Sequence, residues 1–216
     1  MKKSLIATLL IGATVLPALQ GCFPVVAAGV TSGVMATVDR RSLGTQTEDE
    51  SIEWKAGAQV GEKLGDKAHL NFTSYNRKVL MTGEVPNEEA KSEAERIVGG
   101  LPNVQGVHNE LVVGPASSFS NRSNDSFITS KIKSRSLDSG KFNPVHVKVV
   151  TEAGSAFLLG MVTQVEANAA INVARTTAGV KKVVNLMEII TPAQARELDV
   201  VQKSSGNGKP AEVRNP

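Results

Sequence analysis

Hydrophobic positions recur in the same rhythm in two stretches of the chain, residues 70–111 and 147–187. Each stretch contains an alternating apolar run, a short polar turn, a second apolar run that ends at glycine, a helical pattern and a last apolar run. The shared positions of the first copy are Leu70, Phe72, Val79, Leu80, Met81, Gly83, Ala90, Ala94, Ile97, Val104, Val107, Asn109 and Leu111. Those of the second are Val147, Val149, Ala156, Phe157, Leu158, Gly160, Ala167, Ile171, Ala174, Val180, Val183, Asn185 and Met187. The offset is 77 residues up to the helix and 76 beyond it, so we predict one α/β unit that occurs twice.

The order of patterns within each copy predicts its secondary structure. Alternating segments on either side of Asn76-Arg77 and of Ala153-Gly154 indicate two β-hairpins. Apolar spacings of three and four predict a helix after each hairpin, and apolar stripes predict another helix before it. The helices after the hairpins are predicted over 87–98 and 164–176, and the third strands over 104–113 and 180–190. The stripes before the hairpins are Ile52, Ala56 and Val60 in the first copy, and Ile128 and Ile132 in the second. The predicted fold class is α+β, with two tandem αββαβ domains, each a three-stranded sheet with two helices on one face.

The N-terminus has the pattern of an exported lipoprotein. Lys2-Lys3 precede an apolar run over 5–19, which fits a secretory signal better than a membrane span. Leu19-Gln20-Gly21-Cys22 resembles a bacterial lipobox, and this resemblance implies that Cys22, the only cysteine, is acylated after cleavage. Phe23 follows in place of the aspartate common in lipoproteins retained at the inner membrane. We therefore expect a lipid-anchored protein on the periplasmic face of the outer membrane.

Composition divides the rest of the chain into segments. Residues 39–51 are polar and are predicted to end the tether. A short helical stretch is predicted over 193–202, whereas the composition of 203–216 cannot bury enough apolar surface to order itself. The predicted segments are a signal peptide 1–21, an acylated N-terminus and tether 22–50, a first domain 51–114, a linker 115–123, a second domain 124–191 and a disordered tail 192–216.

Charge differs between the two copies. Residues 51–113 hold seven Lys or Arg against nine Asp or Glu, a net charge of −2, whereas 121–190 hold nine against five, a net charge of +4. A basic domain held beside a bilayer is attracted to anionic headgroups. We therefore expect the second copy to carry the specialised function.

Specific residues of both copies resemble the BON domain, a module of bacterial periplasmic proteins. They are the strand that ends in glycine at Gly83 and at Gly160, the alanine-bearing helix, and a closing Gly-Val motif with asparagine, at Gly106-Val107 with Asn109 and at Gly179-Val180 with Asn185. With the lipobox and residues 39–46, nearly the whole mature chain resembles dual BON-domain outer-membrane lipoproteins associated with division and envelope stress. This resemblance implies binding of anionic phospholipid in support of envelope integrity.

No constellation of residues indicates catalysis. His69, His108 and His146 lie at or in predicted strands, and no His-Glu pair at helical spacing, cysteine pair or glycine-rich phosphate loop occurs. We predict that the protein is not an enzyme and that it has no metal site and no cofactor. Nucleic acid is disfavoured as a partner by export.

The predicted helix over 126–138, capped by Asn124 or Asp125, holds the candidate site. Phe127, Lys131 and Arg135 are spaced by four and flank the buried stripe, so that an aromatic ring can insert at headgroup level while two cations meet phosphates. Ser130 and Ser134 flank this ridge as hydrogen-bond donors. The resemblance implies the same helix, because family members recognise anionic lipid through the first helix of the second domain. We therefore expect phosphatidylglycerol, or else cardiolipin, as the ligand.

Other interpretations remain open at this stage. Phe127 can be a core residue and the cations a solvated helix face. The protein can also be an adaptor whose sheet faces bind another envelope protein, or an accessory factor for peptidoglycan remodelling. Trp54 on the first helix has no assigned role.

Overall fold

The computed structural model describes residues 39–65 and 68–206, with side chains up to Val201. The predicted signal peptide, the predicted acylation site Cys22 and the tether up to residue 38 lie outside the described residues, as does the end of the predicted tail, 207–216.

The first domain has the predicted order of elements. They are α1 (Leu43–Leu64), β1 (His69–Tyr75), β2 (Lys78–Val85), α2 (Glu88–Gly99), β3 (Gly106–Asn109) and β4 (Val112–Val113). β1 pairs with β2 in antiparallel register, and β3 and β4 pair with the other edge of β2 in parallel register. β3 and β4 together form the predicted third strand, interrupted where the Asn109 side chain accepts a hydrogen bond from the Leu111 amide (3.2 Å).

The second domain repeats this arrangement. Its elements are α3 (Phe119–Ser139), a 3₁₀ turn (Pro144–His146), β5 (Val147–Glu152), β6 (Ser155–Val162), α4 (Gln164–Arg175), β7 (Lys182–Asn185) and β8 (Glu188–Ile189). Pairing follows the first domain, with β6 in the centre. Asn185 accepts the Met187 amide at 3.0 Å, as Asn109 does for Leu111. The predicted α+β class and the tandem αββαβ units are confirmed.

The glycine that marks the second strand of each copy is required by a close backbone approach. A Cβ at Gly83 would lie 2.0 Å from the carbonyl oxygen of His69, and one at Gly160 would lie 2.3 Å from that of His146. Gly83 also has a φ of +115°, which L side chains rarely adopt. Any larger residue would separate the central strand from its hairpin partner.

Each sheet buries both of its faces. One face packs on the two helices of its own domain, through residues such as Val79 and Met81 in β2 and Ala156 and Leu158 in β6. The intervening residues point the other way, and Leu80 and Tyr75 of the first sheet share a core with Phe157 and Leu159 of the second. The two sheets therefore stack back to back, and the layer order is helix, sheet, sheet, helix.

The first helix of each domain begins earlier than predicted. α1 starts at Leu43 within the predicted tether, with Ser42 as its N-cap, and α3 starts at Phe119 within the predicted linker, with Ser118 as its N-cap. Asn124 and Asp125 are therefore not caps but interior residues of α3. The predicted starts of these two helices are too late, because their first turns lack the apolar stripe from which the helices were predicted.

The polar segment before α1 is a buried anchor rather than the end of a tether. Arg40 is 4% exposed. It donates to the Met161 carbonyl (2.9 Å), to both carboxylate oxygens of Glu166 (2.9 and 3.0 Å) and to both of Asp199 (2.9 and 3.3 Å). The N-terminal segment is thus fixed to the second domain.

Asp199 belongs to a helix that contains the helical stretch predicted over 193–202 and extends beyond both of its ends. This helix, α5 (Pro192–Gly206), buries Ala195, which is 4% exposed. The helix begins after Thr191, whose side chain accepts the Gln194 amide, while the Gln194 side chain accepts the Thr191 amide. The prediction of a disordered tail is therefore wrong for 192–206. Asp199 of this helix is held by Arg40, which lies 159 positions earlier in the chain, and so distant a contact leaves no pattern in the local sequence.

Candidate functional site

The helix α3 places the five predicted lipid-binding residues on the outside of the second domain. Its inner face is held by Asp125, Ile128, Ile132 and Ser136, which are all buried. Ile128 and Ile132 pack against the sheet and α4. Because this inner face fixes the rotation of the helix, the residues roughly opposite to it must face solvent.

An apolar surface runs along the outer face of α3. Phe127 is 61% exposed, so the alternative that it is a core residue is wrong. Phe119 (81% exposed) and Leu137 (68%) lie on the same side, since 100° per residue brings both to within about 80° of Phe127. The sequence pattern predicted neither Phe119 nor Leu137 as part of the exposed face. Phe119 fell outside the predicted helix, and Leu137 lacked a neighbouring apolar residue at a spacing of three or four.

The two predicted cations lie on the shoulder between α3 and the C-terminal end of α4. The Lys131 ammonium lies 4.8 Å from the centroid of the Phe127 ring and donates to the carbonyl of Ala178. Arg135 donates to the Val173 carbonyl (3.2 Å) and to the hydroxyls of Thr177 (2.7 Å) and Thr176 (3.0 Å). Both cations thereby meet the partial negative charge of a helix C-terminus.

The positive charge of this pair is not neutralised by a carboxylate. Among the described residues, no Asp or Glu lies within ion-pairing distance of Lys131 or Arg135. The hydrogen-bond partners of these two cations are neutral carbonyls and hydroxyls. A phosphate that approached from solvent would therefore find two cations without a competing anion.

A shallow cavity of about 350 Å³ adjoins these cations. It is lined by Lys131, Ser134, Arg135, Thr176, Thr177 and Ala178. Ser134 is exposed at its rim, whereas the Ser130 hydroxyl donates to the Ser126 carbonyl (3.0 Å) and so offers outward acceptor lone pairs rather than a donor proton. The structure thus brings three of the five predicted residues to one cavity, with Phe127 and Ser130 on the adjacent outer face.

The remaining candidates lie elsewhere. Trp54, 75% exposed, lies on the outer face of α1 in the first domain. His69 lies against Glu84, and His146 is buried beside Asn143 and Asp199. The sheet faces that an adaptor was expected to use are covered by each other in the shared core, so that version of the adaptor hypothesis is wrong. No helix in the described part of the chain is long and apolar enough to cross a membrane.

Comparison with known proteins agrees with this architecture. The BON domain model matches residues 49–115 and 124–191. The chain is 40% identical to "Outer membrane lipoprotein DolP" of Haemophilus influenzae over 84% of this chain and 94% of that protein. It is 36% identical to a "21 kDa hemolysin" of Actinobacillus pleuropneumoniae (71% and 80% covered) and 26% identical to "Osmotically-inducible protein Y" of Escherichia coli (72% and 79%).

The two αββαβ domains and the match of the BON domain model to each of them define the class of the protein, an envelope protein with tandem BON domains. The chain belongs to the BON-domain family, as a dual BON-domain outer-membrane lipoprotein related to DolP. The names of the relatives reported above include no enzyme, and the absence of catalysis in this chain stays a prediction.

Proposed function

We propose that this lipoprotein binds anionic phospholipid of the outer membrane's periplasmic leaflet through α3, and that it thereby supports envelope integrity. Acylated Cys22 would hold the protein at the membrane, and α3 would supply headgroup recognition. The observation that carries the proposal is the combination of an exposed apolar face with two uncompensated cations on one shoulder of the same helix.

The division of labour along α3 follows from its geometry. Phe119, Phe127 and Leu137 would insert among headgroups and upper acyl chains, where each buried apolar surface is stabilising. Lys131 and Arg135 would bind the phosphate at the cavity, and phosphatidylglycerol or cardiolipin would supply the anion. Such binding is electrostatic in part and should weaken as salt is raised.

Vesicle co-sedimentation of protein lacking residues 1–22 tests this proposal. Lys131→Glu replaces one positive charge by a negative one, a change of two charges. Because each charge near the surface contributes about 1 kcal/mol, this variant should bind phosphatidylglycerol vesicles roughly 30-fold more weakly. Phe127→Ala should weaken it several-fold through lost insertion. Circular dichroism should show that both variants remain folded.

Two matched controls make the test specific. Lys63→Glu makes the same charge change at an exposed position of α1 in the first domain, and Trp54→Ala removes an exposed aromatic ring from that same helix. Both should affect binding less than their counterparts. If Lys131→Glu and Phe127→Ala bind as well as the wild type, the assignment of the site to α3 is wrong. If the unacylated wild-type protein binds no anionic vesicles, an adaptor function that uses a surface other than the sheet faces is favoured instead.

A further inference from the structure

Two residues of the first domain's hairpin bring an imidazole and a carboxylate together. His69 in β1 and Glu84 in β2 are direct register partners across the antiparallel pair. The His69 Nδ1 and Glu84 Oε2 atoms are 3.2 Å apart. Glu84 Oε2 also accepts the amide of Ser117 (3.0 Å), so the segment that joins the domains passes beside this pair.

A second carboxylate reaches the same place from the second domain. Glu152 ends β5, and its Oε2 accepts a hydrogen bond from the Asn71 side chain (3.0 Å), two residues after His69 in β1. One ligand atom from each of His69, Glu84 and Glu152 lies within 4.8 Å of the other two. We call these three residues the interdomain triad.

Among the described residues, no Lys or Arg forms an ion pair with either carboxylate of the interdomain triad. Burial, Glu84 and Asp125 raise the pKa of Glu152, although Asn71 and His69 oppose this rise. Arg122 lines the adjoining cavity of about 180 Å³, but in the described part of the chain it forms no ion pair with Glu84 or Glu152. A cation bound among these oxygens would relieve the repulsion between the two carboxylates.

The donor set matches the chemistry of a divalent transition metal. Zinc binds imidazole nitrogen and carboxylate oxygen at about 2.0–2.2 Å, which places tetrahedral ligand atoms about 3.3 Å apart. The His69–Glu84 separation is already of that size, and a small side-chain movement of Glu152 would complete three protein ligands. The adjoining cavity leaves room for water as the fourth ligand.

We propose that the interdomain triad binds one divalent transition-metal ion of the zinc type, which links the first domain to the second. Two ligands come from one domain and the third from the other, so binding would oppose separation of the domains. This site is separate from the cavity beside Lys131 and Arg135, although residues of α3 line the cavity that adjoins it, and it differs from the sequence-based expectation of no metal site.

Zinc titration of the full chain in detergent, without a polyhistidine tag, tests the site. The wild type should bind one Zn²⁺ in competition with a chromophoric chelator, and should unfold at a higher temperature with zinc than without it. Glu152→Gln and His69→Gln should each weaken binding at least about tenfold, since even the partners of metal ligands contribute that much. Glu152→Gln keeps the size of the side chain and an oxygen for Asn71.

The control is His108→Gln, which removes an imidazole of β3 outside the interdomain triad and should leave affinity unchanged. Cobalt(II) gives a second readout, because three protein ligands and a water should produce the absorption bands of a tetrahedral ion in the wild type and not in Glu152→Gln. The proposal is overturned if the wild type does not bind zinc stoichiometrically, or if both triad variants bind zinc as tightly as the wild type.

Discussion

Asp49 and Asp125 are buried at equivalent positions of the two domains, and each holds a hairpin turn to the first helix. Asp49 accepts the amides of Asn76 (2.9 Å) and Arg77 (2.7 Å). Asp125 accepts those of Ala153 (3.0 Å) and Gly154 (2.9 Å). All four turn residues have a positive φ, which is unfavourable for three of them because they are not glycine. The aspartates therefore stabilise turns that the local sequence disfavours.

Replacement of Asp125 by alanine should destabilise the protein by about 3 kcal/mol, because it leaves two backbone amides in the protein interior without an acceptor. Urea unfolding measures the change. Asp138→Ala, at an exposed position of the same helix, is the control and should change stability by less than about 0.5 kcal/mol. Equal stability of the two variants would contradict the assigned role of Asp125.

Single residues differ in how far sequence predicts them. The buried stripe of Ile52, Ile128 and Ile132 is periodic, so its positions follow from spacing alone. The turn amides that Asp49 and Asp125 accept lie at least 27 positions further along the chain, and such contacts leave no local pattern. The interdomain triad was missed for the same reason, because Glu152 belongs to another domain than His69 and Glu84.

At the level of elements, α3 combines a structural and a surface role. Lys131 and Arg135, proposed to bind phosphate, also donate to the end of α4. Vesicle measurements on variants of these residues therefore require a parallel measurement of stability. Phe127 and Arg135 are exposed and Lys131 is half-buried, and the sequence could not show that α4 ends beside the two cations.

Arg135→Gln should lower the free energy of unfolding by about 1 kcal/mol, because a charged donor to the C-terminal end of α4 is lost. Lys133→Gln removes one charge from the same helix at an exposed site and should have almost no effect. Thermal or urea unfolding of the two variants checks this difference. A loss of stability as large in Lys133→Gln would indicate that total charge, not the contact with α4, is responsible.

At the level of the whole molecule, the apolar runs of β2 and β6 contained a signal for burial on both faces. Val79, Leu80 and Met81 are consecutive and apolar, as expected of a strand covered on both sides rather than of one with a solvated face. The pattern could not show what covers the second face. The shared core of Leu80 and Phe157 shows that it is the sister domain.

The contact of Arg40 with α4 and α5 should make stability depend on acidic pH. Burial alone would raise the pKa of Glu166, but hydrogen bonds from Arg40 and Thr163 hold this pKa below its usual value of about 4.3. A lowered pKa in the folded state stabilises the protein at pH values above the unfolded pKa. This stabilisation is lost as the pH falls from about 5 through the folded-state pKa.

Glu166→Gln should therefore be less stable than the wild type at pH 6 and should lose less stability between pH 5 and pH 3. Urea unfolding at several pH values measures this. The other charged or titratable side chains at this contact are Arg40, Asp199 and His146, and Glu166→Gln leaves all of them in place. Glu93→Gln, in a solvent-exposed pair with Arg96, is the control and should alter the pH dependence little. Parallel pH curves for the wild type and Glu166→Gln would contradict the prediction.

The stacking of the two sheets places α1 and α3 in opposite outer layers of the molecule. Because each helix layer covers the outer side of its own sheet, the exposed faces of α1 and α3 look away from each other. A flat bilayer can touch one of them at a time. If the protein lies on a bilayer through Phe127, as proposed, Trp54 faces away from that bilayer and stays free to contact something else.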